Sequence, residues 1–223
     1  MRRSFLLLTI IPILLIIDIL MHDSTMPPTP DYPEAQWDPA LNSNFSESDR
    51  EANGLKIRWI IIHDIEGDAQ AAINWFKDSR AKASSHYIIA YDGKVYQMVG
   101  EKDIAWHAGN WAYNEHSIGI EHAGYADQKL FTEEEYKASA RLGAHLLKKY
   151  NISLSHPDGL TPADPMQGSG IIGHYQVPDP SDPSVGGGKS HHYDPGENWD
   201  WTHYMELVKY YYENSSGNQS RSG

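Results

Sequence analysis

A continuous apolar run near residue 60 constrains the fold of this chain more than any other feature. From Arg58 to His63 the sequence reads RWIIIH, which is rich in β-branched side chains and contains no Gly or Pro. A short uninterrupted run of this kind is typical of a buried strand. Because the run ends on a histidine, it predicts an imidazole at the rim of a buried sheet.

Further strands and helices follow along the chain. Two strand-like runs surround Asp92-Gly93, which is a strong two-residue hairpin signal. SIGIEH and GIIGH predict two more strands, and the second ends at His174. A capping box at Thr132 predicts one helix, and a last helix is predicted from about residue 201 to 213. The predicted fold class is mixed α/β, with a central mixed β-sheet flanked by helices.

The N-terminus carries the pattern of an export segment. Arg2 and Arg3 precede an apolar run from Phe5 to Ile17, which is shorter than the roughly 20 residues of a membrane span. We therefore expect residues 1–24 to be a signal peptide or a signal anchor. The body of the protein would then be extracytoplasmic.

Composition bounds the rest of the chain. With 223 residues and 40% hydrophobic content, it can bury one sizeable core, and a monomer is expected. Residues 25–53 are rich in Pro, Asp and Ser and are expected to be an irregular N-terminal extension. Residues 54–213 would form the domain, and 214–223 a disordered tail.

Charge and cysteine content exclude several classes of function. The formal net charge is −12, which disfavours binding to nucleic acid and to anionic membrane surfaces. Contact with a membrane is expected only through a possible N-terminal anchor. The chain has no Cys, so disulfides, thiolate metal sites and cysteine nucleophiles are excluded.

Three residues suggest a metal site. His63 and His174 each end a short apolar strand, and Asp194 lies before Pro195-Gly196, a turn that could aim its carboxylate. A single strand-end histidine is more often structural, and Asp before Pro is also a common plain turn. Two neutral imidazoles and one carboxylate are nevertheless the ligand set of a catalytic zinc site with a place left for water.

Glu121 is a candidate general base. On an alternating strand it faces away from Ile118 and Ile120, so the pattern alone favours a solvated outer face. If that face of the sheet lines a cleft, its carboxylate can take a proton from an attacking water and pass it to a leaving nitrogen. The chain lacks Gly-x-Ser-x-Gly and His-Glu-x-x-His motifs, which disfavours serine hydrolases and zincin proteases.

Five ordered segments resemble a known family. They are WIIIHDIEG, SSHYIIAYDGKVYQMV, IAWHAGNWAYNEHSIGIEHAG, IIGHYQV and HYDPGENWDW. Together they are similar to the zinc-dependent N-acetylmuramoyl-L-alanine amidases of the type that includes phage T7 lysozyme and the peptidoglycan recognition proteins. The similarity runs from about Arg58 to Tyr212. The resemblance implies the fold of T7 lysozyme and the peptidoglycan recognition proteins, with a zinc amidase domain at 54–213. It also implies hydrolysis of the amide between N-acetylmuramic acid and L-alanine in peptidoglycan.

The resemblance also implies roles for individual residues. Zn²⁺ would be held by three ligands: His63, His174 and Asp194. A water activated by this zinc would attack the amide, and Glu121 would act as the general base. Positions lining the substrate groove are implied for Trp106, His107 and Asn114. The substrate would be peptidoglycan or a muropeptide, and the enzyme would be secreted or membrane-anchored at the cell wall.

The sequence departs from the family pattern at two positions. Many relatives have a lysine two residues before the third ligand, where this chain has His192; its imidazole would stabilise the oxyanion by donating a hydrogen bond. Ser85 occupies a substrate-binding position where many members have tyrosine. The Pro- and Gly-rich stretch 175–191, which includes a flexible loop at 186–188, is expected to be a lid over the cleft.

Two alternatives stay open from the sequence. Some members of the family bind muropeptides without cutting them, so a non-catalytic receptor is the alternative to an enzyme. Such members commonly lose the third ligand, and the presence of Asp194 favours the enzyme. A zinc domain with a repurposed cleft is a weaker interpretation that fits the acidic composition.

Overall fold

The apolar run at residues 58–63 forms a central strand of a six-stranded sheet. The structure is a computed structural model that describes residues 29–127 and 131–214. The predicted signal segment 1–24 and residues 215–223 of the predicted tail lie outside these ranges. No helix within the described ranges is both long enough and apolar enough to cross a bilayer.

The described residues form short strands and four helices. The strands are β1 (Ala35–Trp37), β2 (Phe45–Ser46), β3 (Trp59–Asp64), β4 (Tyr87–Ile89), β5 (Val95–Gln97), β6 (Ile104–Ala105), β7 (Ser117–His122) and β8 (Gly170–Gly173). The helices are α1 (Ala69–Phe76), α2 (Trp111–Glu115), α3 (Glu133–Tyr150) and α4 (Trp201–Asn214).

The main sheet is mixed, as predicted. Its strand order is β1-β5-β4-β7-β3-β8, and β3 runs parallel to both β7 and β8. The predicted hairpin around Asp92-Gly93 joins β4 and β5, which pair antiparallel. β2 and β6 form a separate two-stranded antiparallel sheet. This topology confirms the central mixed sheet.

Both faces of the sheet are covered. Ile60 and Ile62 of β3 pack in a core cluster with Leu142 of α3 and Val208 of α4. Trp59 and Ile61 point to the other face, where they pack with Tyr113 of α2. The predicted capping box begins α3, because the side chains and backbone N–H groups of Thr132 and Glu135 bond reciprocally. The alternation along β3 therefore places His63 on the face opposite to α3 and α4.

The expectation of an irregular N-terminal extension is wrong. Residues 35–37 form β1, which pairs parallel with β5 at the edge of the sheet. Arg50, 2% exposed, donates through its guanidinium to the carbonyl oxygens of Ser117 (2.8 Å) and Asn114 (3.1 Å). The sequence did not indicate this, because pairing with a distant strand outweighs weak local strand propensity. Residues 29–53, the described part of the extension, are thus a part of the folded domain.

The stretch 175–191 was expected to be a lid with a flexible loop. Backbone hydrogen bonds instead hold it against the domain. Gly188 N–H donates to the carbonyl of Val177, and Lys189 N–H donates to the carbonyl of Gly109, both at 2.9 Å. A Cβ on Gly188, whose φ is +56°, would lie 2.2 Å from a backbone oxygen of the neighbouring segment. Glycine permits this close approach, and the loop is packed. Within this stretch only Ser190 borders the cavity described below.

Candidate active site and metal centre

The carboxyl ends of three parallel strands meet at one edge of the sheet. In the register of β3 and β7, His63 lies beside Glu121. In the register of β3 and β8, Ile62 lies beside Gly173, so His174 follows at the same level. In α/β proteins with parallel strands, substrates and cofactors bind in the crevice just beyond the carboxyl ends of the strands. The strand order therefore brings three of the predicted site residues together.

The three predicted metal ligands converge. His63 Nδ1 lies 2.9 Å from Asp194 Oδ2, and His174 Nδ1 lies 3.1 Å from Asp194 Oδ1. One ligand atom from each residue lies within 4.8 Å of the others, and all three residues are buried. Two imidazoles and a carboxylate fit a divalent metal ion and leave a coordination position free. The donor set thus agrees with the predicted metal site.

The electrostatics of His63 and Asp194 favour the protonation states that bind a metal. Burial lowers the pKa of His63, which keeps its imidazole neutral. Burial alone would raise the pKa of Asp194, but His174, through its charge and its hydrogen bond, holds that pKa well below its ordinary value. Neutral imidazoles and an ionised carboxylate are the forms that coordinate metals.

Glu121 lines the same cavity as the three ligands, so the outer-face interpretation is wrong. Burial raises the pKa of Glu121 well above its ordinary value, and the charges of Asp194 and Asp64 add to this. A carboxylate with a raised pKa is a better proton acceptor near neutral pH. The position and the environment of Glu121 therefore suit general base chemistry.

Asp64, which the sequence pattern did not single out, also lines the cavity. Burial, together with the charges of Asp194 and Glu66, raises the pKa of Asp64 to about 7. Its Oδ2 is buried and has no hydrogen-bond partner among the described residues. An acid directly after a strand-end histidine was the available signal. Three carboxylates thus surround the metal end of the cavity.

The cavity has a volume of about 610 Å³, and aromatic side chains form part of its lining. Trp106, predicted to line the groove, does so, as do Trp75 and Phe76 of α1. Lys82 adds a cation to the lining. The indole of Trp75 is 47% exposed. Trp75 was not among the predicted site residues, although a tryptophan beside the core-facing positions of an amphipathic helix was a usable signal.

His107 and Asn114 also line the cavity, as predicted. The Asn114 side-chain oxygen accepts from the backbone N–H groups of His107 (3.1 Å) and Ala108 (2.8 Å). Both ring nitrogens of His107 already have neighbours, namely His63 Nε2 at 3.0 Å and Ser117 Oγ at 3.2 Å. Asn114 therefore fixes the backbone at His107, whose ring nitrogens face protein groups.

The two positions that depart from the family pattern differ in placement. His192 lines the cavity, and its Nδ1 lies 3.6 Å from Asp194 Oδ1; this contact and the charge of Asp194 raise the pKa of His192. Ser85 is fully buried and does not border the cavity, whereas its neighbour Ser84 does. The expectation of substrate contact at Ser85 is wrong.

Comparisons with known proteins identify the family of this chain. The family described as N-acetylmuramoyl-L-alanine amidase (Amidase_2) matches residues 53–197. N-acetylmuramoyl-L-alanine amidase A of Achromobacter lyticus is 34% identical over 183 residues, which is 80% of this chain and 95% of that protein.

Solved structures share the fold. Hydrolase AmiA of Staphylococcus aureus, solved in complex with its ligand, superposes with a TM-score of 0.59 at 17% identity and covers 91% of this chain and 92% of that chain. AmiD of Escherichia coli, solved with anhydro-N-acetylmuramic acid-L-Ala-D-gamma-Glu-L-Lys, gives a TM-score of 0.50 at 22% identity and covers 68% and 57%. With its family match and its amidase A relative, this chain belongs to the Amidase_2 family of N-acetylmuramoyl-L-alanine amidases.

Proposed function

We propose that this chain hydrolyses the amide between N-acetylmuramic acid and L-alanine in peptidoglycan, with zinc as its metal. One observation carries the proposal: Asp194 reaches both His63 and His174 in the cavity that Glu121 also lines. A family member with these four groups in one cavity has the parts that amide hydrolysis requires. Membership of the family supplies the class of substrate.

The residues have separate tasks. His63, His174 and Asp194 would hold zinc, which when bound polarises a carbonyl oxygen and lowers the pKa of water toward about 7. Glu121 takes the proton from the attacking water and delivers it to the nitrogen that leaves with L-alanine. Its raised pKa favours this transfer in both directions.

His192 would stabilise the negative charge that develops on the amide oxygen. Its side chain is 63% exposed at the cavity, and its imidazole can donate a hydrogen bond there. Replacing His192 by alanine should lower kcat by about 10²- to 10³-fold, the usual loss for one oxyanion donor, and leave zinc bound. Steady-state kinetics and metal analysis of the purified variant measure both.

His191 provides a matched control for His192. Its side chain is 58% exposed, but its Nε2 faces Asp179 at 2.7 Å instead of the cavity. His191→Ala should keep kcat near that of the wild type. Wild-type turnover in His192→Ala would remove His192 from the mechanism.

The proposed activity can be tested by mass spectrometry. Anhydro-N-acetylmuramic acid-L-Ala-D-γ-Glu-L-Lys, incubated with the protein and zinc, should separate into the sugar and the free tripeptide. A chelator should abolish the cleavage, and added zinc should restore it, because the ligands supply no catalysis without their metal. Cleavage within the peptide, or full activity in the chelator, would contradict the proposal.

The same experiment separates the enzyme from a muropeptide receptor. A receptor would bind the muropeptide at equilibrium and release no peptide in zinc-replete buffer. The presence of Asp194 and Glu121 in the cavity favours the enzyme.

The site of action is also a proposal. Arg2, Arg3 and the apolar run to Ile17 support export, and the substrate of the family lies in the cell wall. We therefore place the enzyme outside the cytoplasm, secreted or anchored by residues 1–24, and acting as a monomer. Fractionation of cells that express the full chain tests the location.

A further inference from the structure

We infer that His107 is a positioning residue for the metal ligand His63, with its ring nitrogens engaged by the protein instead of the substrate. This inference rests on the proposed zinc site. His63 directs Nδ1 toward Asp194, and its Nε2 points away from the ligand cluster to His107 Nδ1 at 3.0 Å. The planes of the two rings are perpendicular, with an angle of 90° between them.

His63, His107 and Ser117 form a hydrogen-bonded series. The donor and the acceptor in each bond follow from the contacts of Ser117. Ser117 Oγ lies 2.5 Å from the carbonyl oxygen of Tyr113. Two oxygens this close require a proton between them, so the serine hydroxyl donates to Tyr113. Ser117 Oγ can then only accept from its other neighbour, His107 Nε2 at 3.2 Å. The proton of His107 therefore lies on Nε2.

This tautomer of His107 sets the tautomer of His63. With its proton on Nε2, His107 presents a lone pair at Nδ1, which accepts from His63 Nε2–H. A neutral His63 with its proton on Nε2 has its lone pair on Nδ1, 2.9 Å from the ionised Asp194 Oδ2, so this tautomer leaves two acceptors facing each other that a cation would bridge. The protein thus selects the form of His63 that can bind a metal, which is how partners of ligating histidines act.

His107 itself is held rigidly. A Cβ on Gly119 of β7 would lie 2.6 Å from His107 Cγ, so only glycine lets the ring lie across this strand. The side-chain oxygen of Asn114 accepts from the backbone N–H of His107. The guanidinium of Arg50 donates to the backbone carbonyl oxygens of Asn114 and Ser117. By contrast, His174 Nε2 is buried without a hydrogen-bond partner among the described residues. The positioning contact therefore serves His63 and not His174.

The test is the zinc affinity of the full-length protein, measured by competition with a chelator. His107→Ala should weaken zinc binding by about 10- to 100-fold, the loss typical for such partners. His107→Asn should restore most of the affinity, because the asparagine Oδ1 can stand near the position of Nδ1 and accept from His63. Ser117→Ala should also weaken binding, since it removes the group that orients His107.

Two controls separate positioning from other roles. His156→Ala removes a half-buried histidine that bonds to the Ile171 carbonyl and stacks on Trp201, away from the cavity, and should leave zinc affinity unchanged. Excess zinc should restore the kcat of His107→Ala with an unchanged KM, whereas a substrate contact would raise KM at saturating zinc. Thermal unfolding of each variant reports whether the fold is intact.

The outcomes are distinct. A folded His107→Ala that binds zinc like the wild type, a His107→Asn as weak as the alanine variant, or a raised KM at saturating zinc would overturn the inference and leave the proposed function standing. A wild-type protein that binds no zinc would instead overturn the proposed function.

Discussion

Replacing Asp194 by asparagine should abolish zinc binding and hydrolysis together. Asp194 is the anionic member of the ligand set, and its two oxygens lie within 3.1 Å of His63 and His174. An amide of the same shape carries no charge and is a poorer metal ligand. Removing the hydrogen-bond partner of a metal ligand typically weakens metal binding by roughly 10- to 100-fold. We expect the loss of zinc affinity in Asp194→Asn to be larger, because the ligand itself is changed. Metal analysis after dialysis and muropeptide cleavage measure the two effects.

Asp179 offers a matched control for Asp194. It is also buried, at 5% exposed, and it also pairs with a histidine, but its partner His191 lies outside the cavity. Asp179→Asn should keep one zinc per chain and most of the activity. If Asp194→Asn retained zinc at the affinity of the wild type, the proposed ligand set would be wrong.

Replacing Glu121 by glutamine should lower kcat by about 10²- to 10⁴-fold, the usual contribution of general acid–base catalysis. Zinc should remain bound, because Glu121 is not among the converging ligand atoms. The amide of glutamine keeps the shape of the side chain but cannot accept the proton of the attacking water. Activity of the wild type should fall as the pH drops below the raised pKa of Glu121.

The same substitution should stabilise the metal-free protein at neutral pH. Burial, with Asp194 and Asp64, raises the folded-state pKa of Glu121 above that of the unfolded chain. The stability that goes with the protonated form is present at low pH and is lost as the pH rises through the raised pKa. Glutamine removes this loss, so the free energy of unfolding of Glu121→Gln should be higher at pH 7 and converge with the wild type in acid.

The wild type and Glu121→Gln are each freed of metal with a chelator. Chemical unfolding of both proteins at pH 4 and pH 7 measures the difference in the free energy of unfolding. Glu66→Gln is the control, because Glu66 is exposed, lies close to Asp64 and does not line the cavity. It should leave kcat near that of the wild type. A Glu121→Gln variant with wild-type turnover would show that another group, with Asp64 as the nearest alternative, accepts the proton.

The sequence alone determined the elements with strong local signals. The β-branched run of β3, the Asp92-Gly93 hairpin and the capping box at Thr132 were all correctly predicted. Each depends on residues within a few positions of one another, where propensity and hydrogen bonding act directly. His63 and His174 could be proposed as ligands for the same reason, because each ends such a strand.

Only the tertiary structure decided which side chains meet. Asp194 reaches His63 across 131 residues of sequence, and Glu121 lies at the cavity only because β7 pairs with β3 in this register. Pairing with a distant strand likewise ordered β1, which local propensity did not indicate. Strand order and register are set by packing over the whole chain, so periodicity left open which face of β7 became the cavity.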